Sequence, residues 1–123
     1  MAVYLYKMKI FILCLCFTAH VCALDGPLHT GWQGQDVCVK LSENEYEQML
    51  RCTFPPGVGH EKHRHNANFG YALAGGKMQI TDERGTRTVE LKTNSYFDST
   101  GTQWHQILNV GDTTVVYLII EQK

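Results

Sequence analysis

The sequence predicts an all-β domain, a sandwich or barrel of short antiparallel strands. Three observations predict it. Turn residues recur at roughly 8–12-residue spacing, glycine sits in most of those turns, and no stretch after residue 35 carries a helical period. The most apolar segment, Thr113–Ile120 (TTVVYLII), has the β-branched composition of a strand buried on at least one face.

The elements follow in order. Val37–Leu41 and Tyr46–Phe54 read as two strands joined by the polar turn Ser42-Glu43-Asn44-Glu45. Pro55-Pro56-Gly57 then breaks the chain, because proline cannot donate to a ladder. Next come Glu61–His65, Asn68–Ala74 and Lys77–Thr81, and Asp82-Glu83-Arg84-Gly85 turns the chain. In Thr86–Leu91, Val89 and Leu91 share one face. Ser95–Asp98 and Gln103–Val110 follow, and Gly111-Asp112 makes a last tight turn before Thr113–Ile120.

The first 23 residues read as a targeting signal. Lys7 and Lys9 precede the 14-residue run Ile10–Ala23, shorter than the roughly 20 residues of a membrane span, and Val21-Cys22-Ala23 offers small residues at the cleavage positions. We expect cleavage after Ala23, a loose arm over 24–35, a single barrel domain over 36–123, and a secreted or periplasmic location with no membrane attachment after cleavage. The mature chain keeps all 12 acidic residues and 9 of the 11 basic ones, which argues against nucleic acid as a partner. It also keeps two cysteines, Cys38 and Cys52, placed symmetrically about Glu45. Cross-strand neighbours lie roughly 4.5–5.5 Å apart, so in an oxidising compartment the two are expected to form a disulfide; the alternative is a pair of buried thiols.

Histidine carries the chemical signal. His60, His63 and His65 fall within Gly59-His60-Glu61-Lys62-His63-Arg64-His65. On a regular strand His63 and His65 share a face, and His60 faces away from it. Two neutral imidazoles side by side serve as paired metal ligands; the alternative is a pair of surface histidines.

These residues resemble a known family. Gly57, five residues on His63-Arg64-His65, and then Tyr71-Ala72-Leu73-Ala74-Gly75 resemble the first cupin motif; Ser99-Thr100-Gly101, His105 and Asn109 resemble the second. The resemblance spans Phe54–Lys123 and is closest to small single-domain bacterial cupins, including those described as β-alanine degradation proteins. It implies a cupin-like antiparallel β-barrel, or jelly roll, with one divalent transition metal (Fe, Mn, Ni, Cu or Zn) per chain in its mouth. His63, His65 and His105 would be the ligands, with Asn68 and His60 as secondary candidates. The motif glutamate is missing: its slot falls on Asn68 or Phe69, according to the end from which it is counted. The second motif has Ser99 where the family has proline, and three residues rather than two between Gly101 and His105. The resemblance also implies a homodimer, a state to which the loose arm and the apolar final strand point as well.

Three neutral imidazoles would leave a divalent ion with its full charge, a strong Lewis acid that favours an anionic ligand. The expected function is therefore metal-dependent chemistry on a small, anionic molecule, by a dioxygenase or a Lewis-acid isomerase or lyase. The alternative is a non-catalytic module that binds or senses a small molecule or a metal.

Overall fold

The computed structural model describes residues 22–123; the segment ahead of the expected cleavage point lies almost wholly outside the described residues. Nine strands follow one another: β1 Cys38–Glu43, β2 Glu47–Phe54, β3 Gly59–His65, β4 Asn68–Ala74, β5 Gly76–Asp82, β6 Gly85–Leu91, β7 Tyr96–Ser99, β8 Thr102–Asn109 and β9 Val115–Gln122. They form two antiparallel sheets, in the orders β1-β2-β9-β4-β7 and β3-β8-β5-β6. The all-β expectation holds, and no described residue is helical.

The core lies between the sheets. Leu50, Cys52 and Phe54 of β2 and Val115 and Ile119 of β9 face Met78 of β5, with Val89, Leu91 and Ile107 packed around them. Each large apolar side chain buried there contributes about 1.5–3 kcal/mol. Phe54 pairs with Val115 at one end of the β2–β9 ladder and Glu47 with Gln122 at the other. The apolar strand ends therefore close one end of the barrel, and the polar ends open the other.

Cys38 and Cys52 stand opposite each other in the β1–β2 ladder and are joined by a disulfide, with Cα atoms 4.0 Å apart. The turn centres half a residue beyond Glu45, and a bulge between Lys40 and Ser42 restores the register that brings the cysteines together.

The arm differs from expectation: it is docked, not loose. Glu61 N donates to Gly31 O and Arg64 N to Asp25 O, so the arm covers the free edge of β3. Trp32 and Leu28 pack on the core. A Cβ on Gly59 would collide with the Trp32 ring, so glycine is what admits this close approach.

Candidate metal centre

Strands β3 and β8 build the site. His63 lies directly opposite His105 in their ladder, and His65 pairs with Thr102 one step nearer the mouth. The Nε2 atom of His63 lies 3.0 Å from Nε2 of His65 and 3.0 Å from Nε2 of His105. The donor atoms of all three lie within 4.8 Å of one another. His63 is fully buried and His65 nearly so.

The groups behind the His63 and His65 rings bias where their protons sit. His63 Nδ1 stands 2.6 Å from the carbonyl of Glu61, which can only accept, so Nδ1 carries the proton and Nε2 presents its lone pair. His65 Nδ1 is buried 3.3 Å from the carboxylate of Glu121 without a hydrogen bond to it, and the negative charge there favours the proton of that ring on Nδ1. Two imidazole nitrogens thus converge on the single lone pair of His63, which can accept from one of them at most.

A cation would relieve this crowding. Nitrogens bound at about 2.0–2.1 Å to one ion stand roughly 2.9–3.4 Å apart between octahedral and tetrahedral geometry. The two separations from His63 Nε2, 3.0 Å each, fall in that window, and the three donor atoms together lie within 4.8 Å, so a bound ion would draw His65 and His105 closer. Burial also keeps the rings neutral. Desolvation, reinforced by neighbouring imidazoles, pushes His63 down to about 2 and His105 down to about 3. Neutral imidazole is the form that ligates.

The other candidates sit elsewhere. His60 faces inward and stacks on His63, ring centroids 3.7 Å apart. The β3–β8 register shifts between His60 and His63, so Glu61 and Lys62 both face out and the regular alternation is broken. His60 Nε2 is bound to the carbonyl of Thr30 at 2.7 Å, away from the cluster. Desolvation lowers this ring to about 4. Asn68 lines the cavity, but its Nδ2 donates to Asn66 O at 2.8 Å. Gly70, beside it on the inner face, makes room for the Phe97 ring, which a Cβ would strike.

Sequence reasoning missed Glu121. It pairs directly with Asn68 across the β4–β9 ladder, so a carboxylate stands beside the motif slot on the neighbouring strand. Its oxygens accept from Asn66 N at 2.7 Å and Gln48 Nε2 at 3.3 Å. Desolvation would raise its pKa, but the His65 imidazole and the Asn66 N–H outweigh this and hold it below the usual carboxylate range. Glu121 stands behind His65, where it orients the ring. The only sequence signal was an acid ending an otherwise apolar strand.

The histidines line a cavity of about 440 Å³ that opens at the barrel mouth. Its apolar walls include Ile80, Ile107 and Tyr117, and Arg84 and Arg87 stand among its polar lining.

Solved structures match the fold. A cupin domain from Bordetella pertussis superposes with a TM-score of 0.65 at 24% identity, covering 71% of this chain and 92% of that one. The fold is that of the cupins. Two further cupin-fold neighbours carry enzyme names. A predicted oxalate decarboxylase from Thermotoga maritima matches with a TM-score of 0.50 at 22% identity, over 68% of this chain and 76% of its own. A DMSP lyase from Ruegeria pomeroyi matches with a TM-score of 0.54 at 17% identity, over 70% of this chain and 46% of its own. No protein-family model and no curated protein sequence matches the chain.

Proposed function

We propose that this chain is an exported cupin that holds one divalent transition metal through His63, His65 and His105 and acts on a small anionic molecule in the barrel mouth. The observation that carries this reading is the convergence of three Nε2 atoms at a buried point where at most one proton can be shared. A bound ion would supply Lewis-acid polarisation of a substrate oxygen. The chain itself holds His63 and His105 neutral by burial, orients His63 through Glu61 O, places the Glu121 carboxylate behind His65, and walls the site with apolar side chains that limit water. Oxalate decarboxylase and DMSP lyase are names of cupin-fold neighbours that concern small carboxylate-bearing molecules, which agrees with an anionic ligand.

A second reading, a module that binds metal and ligand without turnover, draws on Glu121 and Asp82, with Glu83 the remaining carboxylate of the cavity lining. Glu121 is tied behind His65, and Asp82 is held by two arginines, so neither is free to serve as a general base. Export, with a signal over 1–23, an arm over 24–35 and a barrel over 36–123, is supported by the disulfide, which persists in oxidising compartments. A homodimer is supported by the outer face of the larger sheet, where exposed Phe69 and Leu73 of β4 lie in one layer with Leu118 and Ile120 of β9.

Metal analysis of the exported protein tests the main reading. We expect one first-row divalent ion per chain, lost in His63→Ala and His105→Ala and kept in His29→Ala and Asn68→Ala. Protein that holds no Fe, Mn, Ni, Cu or Zn after reloading and desalting would end it.

A further inference from the structure

The β5–β6 side of the sheet that carries the histidines holds an arrangement the metal reading leaves unused. Asp82 Oδ2 accepts from Arg84 Nη2 and Arg87 Nη2, each at 3.0 Å. Glu83 beside Arg84 also lines the cavity, so the two acids and two arginines balance in charge, and what remains open is one donor position rather than a surplus of charge. The two arginines differ in setting. The Arg84 side chain is 72% exposed, whereas that of Arg87 is 39% exposed with its Nη1 buried and without a hydrogen-bond partner among the described residues. A buried charged donor without a partner is rare in folded proteins, and it marks a place where an acceptor belongs.

The sheet fixes where that donor stands. Arg87 lies opposite Ile80 in β5, Ile80 lies opposite Ile107 in β8, and Ile107 is two residues beyond His105 on the same strand face. Arg87 and His105 therefore share the inner face, with the side chains of Ile80 and Ile107 forming an apolar floor between them. The charges of Asp82 and Arg87 are both felt at His105. Phe97 and Tyr117 of the other sheet also line this cavity.

We propose that Arg87 is the anion-binding end of the cavity, and that the ligand is a small carboxylic acid with an apolar body, its carboxylate on Arg87 Nη1 and its hydrocarbon over Ile80 and Ile107, toward the histidines. This rests on the reading of the barrel mouth as a metal-centred ligand site. Asp82 holds the guanidinium through Nη2 and leaves Nη1 for the ligand. Arg84 is a second counter-charge on Asp82 and no part of the subsite.

Phenylacetate and phenylacetamide have nearly the same shape and differ in charge. Calorimetric titration of the wild-type protein should show the acid bound about 10- to 100-fold more tightly, the range of a charge-assisted hydrogen bond. Arg87→Gln should abolish that preference, and Arg84→Gln should retain it. Metal content is measured on the same samples. Equal affinity for acid and amide in the wild type, or a preference that survives Arg87→Gln, overturns the subsite even if every histidine holds its metal. An Arg87-dependent preference in protein that holds no metal upholds the subsite and removes the metal reading instead.

Discussion

Asn109 and His105 lie on the same face of β8, four residues apart, at opposite ends of the barrel interior. Both belong to the second cupin motif, and both bring polar atoms into an apolar interior. Asn109 at the closed end is fully satisfied: Nδ2 donates to Phe54 O at 2.8 Å and Thr113 O at 2.7 Å, and Oδ1 accepts from Gly111 N at 2.9 Å. His105 at the mouth points its Nε2 at the Nε2 lone pair of His63, which His65 Nε2 also approaches. A buried polar group that satisfies itself holds the fold together. One that meets only its own kind leaves room for a ligand, here a cation. Hydrogen-bond accounting separates the two where motif membership does not.

The largest expected effect sharpens this difference through pH. His60, His63 and His105 are pushed to about 4, 2 and 3 in the folded chain. In the unfolded chain they titrate near 6.5. Below that pH the unfolded state takes up protons that the folded state refuses, so apo stability is constant above about 6.5 and falls as pH drops toward 4. Each histidine contributes up to about 2 kcal/mol of loss by pH 5, and the three together about 4–6 kcal/mol. Metal bound to the native state raises stability at every pH by mass action, so the acid midpoint should move lower on loading. Urea titrations of metal-free and metal-loaded protein between pH 7 and 4.5 measure both. An apo stability that stays level to pH 5 would mean that the rings are not held neutral by burial.

The opposite end should respond to mutation alone. Asn109→Ala strands Phe54 O, Thr113 O and Gly111 N, and we expect a loss of about 3 kcal/mol, or roughly 10–20 °C in Tm. Metal stoichiometry should not change. If Asn109→Ala empties the metal site at a temperature where the chain is still folded, the two ends are coupled and the division between them fails.

Most of the fold was legible in the sequence because its signals are local. Pro55-Pro56-Gly57, Asp82–Gly85 and Gly111-Asp112 each stop a strand by their own backbone chemistry, and all nine strands lie where those stops and the spacing put them. The disulfide pair was legible too, since antiparallel symmetry about a turn needs only counting. Three features were not. The inward turn of His60 depends on a bulge that sets two consecutive charged residues, Glu61 and Lys62, outward. That pair was visible, but its meaning depends on the strand opposite. The docked arm depends on a notch at Gly59 that only the folded chain presents to Trp32. Glu121 depends on the pairing of β9 with β4, a contact between residues 53 positions apart.

Glu121 therefore offers the smallest and most discriminating test. Glu121→Gln keeps an oxygen that can accept from Asn66 N and keeps the volume, so the β4–β9 ladder should survive. It removes the negative charge beside His65 Nδ1. With no carboxylate to hold the proton on Nδ1, the ring more readily takes the tautomer that blocks Nε2, and metal affinity should weaken about 10- to 100-fold, or roughly 1.4–2.8 kcal/mol. Stoichiometry should still reach one at saturating metal, because the three nitrogens remain. Competition titration against a chelator, read beside the melting curve, isolates the effect. Unchanged affinity would mean that backbone packing alone orients His65. A total loss of binding would make Glu121 a ligand in its own right, with the mouth of the barrel rearranged to bring it forward.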